Sequence, residues 1–175
     1  MNIEKISRGN DFPNDVNVII EIPMNHDPVK YEMDKYSGAL LVDRFMQTSM
    51  HYPCNYGFVP HTRSGDGDPV DVLVISSYPI VPGAVIHARP IGVLLMEDES
   101  GVDEKIIALP TKKIAPEFAH IEHIEQVNVI LKGRIRHFFS HYKDLDASKW
   151  VKVQGFEGKA KAIELLVEAA QRIEE

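Results

Sequence analysis

Apolar and polar residues alternate through Val16, Val18, Ile20 and Ile22, which predicts a strand with one buried face, Glu21 near its far end, and Pro23 as its stop. The same period of two returns at Val29, Tyr31 and Met33, so Lys30 and Glu32 fall on one face of a second strand. Ser37-Gly38 marks a turn, and residues 39–44 come back as a third strand that ends in the cation Arg44. Residues 45–60 have no clean period. They hold Tyr52, Pro53, Cys54, Asn55, Tyr56 and Gly57, too aromatic a set for a solvated loop, and are expected to form a packed segment that delivers tyrosine hydroxyls to a site.

Val72-Leu73-Val74-Ile75 is a buried-strand run, and 79–83 is a turn. The long apolar stretch 84–96 is expected to bend or bulge at Pro90 and Gly92. An acidic loop at 97–104 then leads through Lys105 into a strand at 106–109. Pro116 with Glu117 opens a short helix, and Ile130, Leu131, Ile135, Phe138, Phe139 and Tyr142 recur at helical spacing, with Lys143 directly after them. Residues 150–153 form a short strand broken by Gly155 and Gly158. Ala160, Ile163, Leu166, Val167, Ala170 and Ile173 mark a closing amphipathic helix. Short strands first and helices afterwards argue for an antiparallel-rich α+β domain.

With 175 residues the chain is most simply one domain, 1–175, able to bury a core without staples. Its net charge of −7 opposes the basic footprint of nucleic-acid binding. The interruptions at His87, Arg89 and Pro90 leave nothing apolar enough to span a bilayer. Cys54 is the lone cysteine and the first residues carry no apolar signal core, so a reducing cytoplasm is expected.

The chemistry concentrates in Gly65-Asp66-Gly67-Asp68-Pro69-Val70-Asp71, three carboxylates in a turn that enters a strand. Hard divalent cations are bound by such oxygen clusters, although an acidic hairpin turn has the same outline. An EF-hand fails, because its spacing puts a ligand at Val70 and a glycine at Asp71; a P-loop fails for want of a Lys-Ser or Lys-Thr pair. His137 and His141 lie one helical turn apart without the glutamate of a zinc protease, and His120 and His123 lack zinc-type partners. Cys54 sits among tyrosines and is expected to be a packing residue.

Taken with Glu21, Lys30-Tyr31-Glu32, Arg44 and Tyr-Pro-Cys-Asn-Tyr-Gly at 52–57, the acidic stretch closely resembles the soluble family I inorganic pyrophosphatases of the bacterial branch. The resemblance runs on through Asp98, Asp103 and Lys105 to His141-Tyr142-Lys143-Asp144-Leu145, and covers residues 12–154. It implies a mainly β, α+β fold built on a small five-stranded OB-like closed barrel with flanking helices. The implied activity is Mg²⁺-dependent hydrolysis of inorganic pyrophosphate to two orthophosphates by a metal-activated water. A cytoplasmic homohexamer is also implied, with the substrate bound as its Mg complex and other divalent cations admissible.

By the same resemblance Asp66, Asp71 and Asp103 are the principal metal ligands, Asp98 holds further metal, and Glu21 and Glu32 act directly or through water. Asp68 is the expected proton acceptor. Lys30, Arg44, Tyr56, Lys105, Tyr142 and Lys143 are expected to hold the phosphoryl groups, with Tyr52 in support. Carboxylates suit Mg²⁺, and guanidinium, ammonium and phenol groups suit phosphate oxygens. The seven acids named outnumber the four cations by three, so without metal the site would repel its substrate. A hydrolase acting on nucleotides would need a glycine-rich loop or a base-stacking platform, and neither stands out. A nucleic-acid-binding barrel face would not carry surplus acid. A structural Ca²⁺ module would gain stability from metal but release no phosphate.

Overall fold

The computed structural model describes residues 1–174. Its strands are β1 (Val16–Ile22), β2 (Val29–Met33), β3 (Leu40–Phe45), β4 (Asn55–Phe58), β5 (Asp71–Val74), β6 (Val85–Asp98), β7 (Gly101–Val102), β8 (Lys105–Pro110) and β9 (Val151–Gly158), and its helices are α1 (Val129–His141) and α2 (Lys159–Glu174). The fold is mainly β with two helices. β1, β4, β5, β8 and β6 pair in that order, and β6 pairs back onto β1, so the hydrogen bonding closes into a ring of five strands. β5 and β8 run parallel; the other pairs are antiparallel. β2 and β3 form a separate two-stranded sheet.

β6 is the strand on which the ring depends. One edge pairs first with β1 and then with β9, while the other pairs with β8 and then β7. The register shifts between Pro90 and Gly92, where the sequence predicts a bulge. Proline has no N–H to give to a ladder, so the strand bends there and serves two neighbours along one edge.

Side-chain parity divides the core. Val72, Val74, Ile106 and Ala108 join Val16, Val18 and Ile20 beneath α2, whose Ala162, Leu166 and Ala169 close that side. Leu73, Ile75, Ile107 and Leu109 face the other way, against Ile135, Phe138 and Phe139 of α1. Every residue of β1 is buried, in place of the single buried face expected. Ile19 packs with Ile3, Met33 and Phe58, so the N-terminal segment and the β2–β3 hairpin cover the face that alternation assigns to solvent.

The aperiodic segment is packed as expected, and it contains a strand that its pattern does not show, β4, buried throughout. Two further expectations are corrected. Gly155 lies inside β9 and does not break it: its φ of 147° sits beside a register shift opposite Leu95 and Met96, a backbone state open to glycine. The buried stripe of α2 is Ala162, Leu166, Ala169 and Ala170, leaving Ala160 and Ile173 outside, and Ile130 of α1 is exposed. Cys54 is the packing residue expected, its thiol pushed up to about 12 by burial. His137 and His141 are exposed, the latter beside Asp144 at 2.8 Å.

Candidate active site

The acidic turn owes its shape to short polar contacts. The Asp68 N–H donates to Asp66 Oδ1 (3.0 Å), the Ser64 N–H donates to the Asp68 carbonyl (2.7 Å), and Gly67 takes φ 95°, a value costly for a residue with a Cβ. Asp66 and Asp68 are thereby exposed at the loop tip, and the Asp68 carboxylate makes no hydrogen bond or ion pair with any described residue. Asp71 opens β5 and Lys105 opens β8. Because these strands are parallel and in register at this pair, the Lys105 ammonium reaches Asp71 Oδ2 and Asp103 Oδ1, each at 2.5 Å.

Burial alone would lower the pKa of Lys105, yet the two carboxylates hold it well above the ordinary value. Asp103 is raised, by burial first and by Asp71 next, with Lys105 offsetting part of the shift. Asp98, at the end of β6, meets Lys143 at 2.7 Å, and Glu99 meets the same ammonium at 3.1 Å. Burial pushes Asp98 up, but Lys143 and the Ser100 N–H outweigh it and leave the carboxyl low.

The β2–β3 hairpin supplies Lys30, Glu32 and Arg44. Lys30 bonds Glu32, as the shared face requires, and Asp43 faces both Lys30 (3.3 Å) and Arg44 (3.1 Å). Tyr52 packs on Tyr56 and Phe138 with ring centroids 5.1 and 4.6 Å apart, and Tyr142, at the end of α1, stacks on Phe138 at 5.2 Å. Burial raises all three phenols, so they stay protonated and able to donate.

These elements line one cavity of about 240 Å³. Every site residue named from the sequence is in its wall: Asp66, Asp68, Asp71, Asp98 and Asp103, then Glu21 and Glu32, then Lys30, Arg44, Lys105 and Lys143, and the phenols Tyr52, Tyr56 and Tyr142. Lys35, Glu99 and Lys149 also line it and were missed. Glu99 lies within the acidic loop, which could have pointed to it, whereas nothing in the spacing marks the two lysines. With them the wall has eight carboxylates against six cations, a formal balance of −2.

Among the described residues no three His, Cys, Asp or Glu side chains stand together as a ready metal centre. Ammonium groups instead fill the places between carboxylates. The donor set still fits a hard cation: it is all oxygen and crowded, and Asp103 and Glu21 are raised by burial first and by the nearby Asp71 charge as well.

Glu21 accepts the Met33 N–H at 2.7 Å and ties β1 to the hairpin. Burial first, and Asp71 among the nearby charges, push its carboxyl from 4.5 up to about 7. The folded chain therefore holds a proton that the unfolded chain has lost between those values. In metal-free buffer the resulting stability is fully present below pH 4.5 and is lost as pH rises through about 7, a change of about 3 kcal/mol. Glu21→Gln should flatten this slope in denaturant midpoints measured with EDTA, and an unchanged slope would contradict the assignment.

The fold and cavity together define a class: a mainly β protein whose closed strand ring carries a small mixed acid–base cavity, suited to holding anions together with hard cations. The sequence profile of the family described as Inorganic pyrophosphatase matches residues 18–174. An inorganic pyrophosphatase of Rickettsia conorii is 60% identical over 174 residues, covering 99% of each chain. A solved inorganic pyrophosphatase from Coxiella burnetii is similar at a TM-score of 0.93 and 47% identity, over 96% of this chain and 99% of that one. The corresponding structure from Thermus thermophilus gives 0.94 at 39% identity, with both chains covered in full. The chain belongs to the inorganic pyrophosphatase family. No described helix is long and apolar enough to cross a membrane.

Proposed function

We propose that this enzyme hydrolyses inorganic pyrophosphate to two orthophosphates, with Mg²⁺ as its working cation and Asp68 as the acceptor of the proton lost by the attacking water. The observation that carries the reading is the gathering of the acids, cations and phenols into a single cavity of about 240 Å³. That volume lies below the usual range for drug-sized ligands, about 300–1,000 Å³, and suits a compact polyanion.

Asp66, Asp71 and Asp103 would hold the principal ions, and Asp98 would hold an ion that comes with the substrate. Glu21 and Glu32 would act directly or through water. Divalent ions there supply positive charge to the phosphates and lower the pKa of water.

The chain's own groups do the rest. Asp68, exposed and without a side-chain partner among the described residues, is free to take a proton. Lys30 and Arg44 approach from the hairpin, and Tyr56, Tyr142 and Lys143 from the opposite elements, to bind phosphoryl oxygens, with Tyr52 supporting the phenols from behind. Lys105 is tied to Asp71 and Asp103, and Lys143 to Asp98 and Glu99. Each ammonium therefore turns to phosphate only as its carboxylates find other cations. The same reading makes the strand ring an OB-like closed barrel with flanking helices in one domain over 1–175, working as a cytoplasmic homohexamer that binds no nucleic acid.

Phosphate release tests it. With Mg²⁺ the chain should release phosphate from pyrophosphate far faster than from ATP, and excess EDTA should abolish the release. Preference for ATP, or indifference to EDTA, would overturn the reading.

A further inference from the structure

Away from the cavity, the buried polar atoms without a hydrogen-bond partner among the described residues are Arg89 Nε, whose guanidinium is otherwise held by the Phe118 and Ile121 carbonyls, and a group of three, Asp15 Oδ1, Asn17 Oδ1 and His87 Nδ1. These three gather on the seam where the ring closes. Asn17 of β1 is directly paired with His87 of β6, which puts those two side chains on one face, and Asp15, just before β1, approaches the same imidazole.

The amide of Asn17 cannot be turned to relieve this. The residue is 6% exposed, and its Nδ2 donates to the Ser7 carbonyl at 2.9 Å and to Ser7 Oγ at 3.3 Å. Only a donor can face a carbonyl, so Oδ1 turns away from Ser7 with its lone pairs unmet. Asp15 Oδ1 stands 3.6 Å from His87 Nδ1, too far for a hydrogen bond. That separation suits two ligands of one ion: atoms about 2.1 Å from a tetrahedral or trigonal metal lie about 3.4–3.6 Å apart.

The geometry points to a site for one divalent cation of the zinc class, held by the Asp15 carboxylate, the Asn17 amide oxygen and the His87 imidazole nitrogen. Mixed nitrogen and oxygen donors favour zinc over magnesium, the reverse of the all-oxygen cavity. Asn17 precedes Glu21 by four residues, about 13 Å along a strand, so the two sites share no ligand. An ion here clasps β1 to β6 at the closure of the ring. Binding requires Nδ1 to be unprotonated, with the ring proton on Nε2.

The test is a Zn²⁺ titration of the full chain in saturating Mg²⁺, read by calorimetry and by the NMR signals of the histidine rings. His137 and His141, with rings 4.8 Å apart on α1, could bind zinc on their own account, so a variant there is the control. Wild type and His141→Ala should bind one equivalent that His87→Ala lacks, and Asp15→Asn should weaken it by about tenfold or more. The His87 ring signals should move with Zn²⁺ and stay still with Mg²⁺. Equal Zn²⁺ binding by wild type and His87→Ala, or unmoved His87 signals, would assign the three atoms to a buried water and overturn the site.

Discussion

Asp68→Asn lowers the turnover of pyrophosphate by about 10²–10⁴-fold, the range for loss of a general base, with little change in the unfolding midpoint. The amide keeps the volume of the carboxylate but has no charge with which to take a proton. The fold should not register the change, because the side chain is exposed and makes no hydrogen bond or ion pair with any described residue. The loop also keeps its shape, since its contacts run through the Asp68 backbone to Asp66 and Ser64. Steady-state phosphate release and a thermal melt check both halves, and near-wild-type turnover would remove Asp68 from the role.

Lys105→Met has its largest effect in the absence of metal. The Lys105 side chain is 5% exposed, and its ammonium is the shared counter-charge of Asp71 and Asp103. Removing it leaves two carboxylates facing each other in a desolvated place, and breaking a buried ion pair on one side costs about 3–5 kcal/mol. A cation binding the same acids should restore much of that loss. Denaturant midpoints of the variant should therefore fall steeply in EDTA and recover in Mg²⁺ by more than the wild type gains. An equal Mg²⁺ effect on both would mean that the acids do not hold the ion.

The alternation of Val16–Ile22 and Val29–Met33 was legible in the sequence because each strand keeps at least one apolar face in phase. The bulge at Pro90 and Gly92 was legible because proline cannot serve a ladder. β4 was not, since Asn55-Tyr56-Gly57-Phe58 is short and buried on both faces, which erases the period of two. Gly155 misled because a glycine that ends a strand and one that sits at a bulge look alike without the partner strand. Small alanines carry the buried stripe of α2, where larger Ile163 and Ile173 suggested another face.

The cavity was legible through its acids and tyrosines, and its wall contains each residue named for it. What could not be read was the pairing inside it. That Lys105 answers to Asp71 as well as Asp103 depends on the register of two parallel strands, and Lys149 enters from a segment with no pattern of its own. Asp43 was overlooked because its partners, Lys30 and Arg44, meet only across the hairpin.

The central claim is that Asp66, Asp71 and Asp103 jointly hold hard cations. Anomalous diffraction from crystals soaked in Mn²⁺, a stand-in for Mg²⁺ with the same taste for oxygen, tests it most directly. The account predicts a strong peak about 2.0–2.3 Å from carboxylate oxygens of all three residues, with the Lys105 ammonium displaced from at least one of them. Manganese found elsewhere, with Lys105 still bridging Asp71 and Asp103, would contradict it.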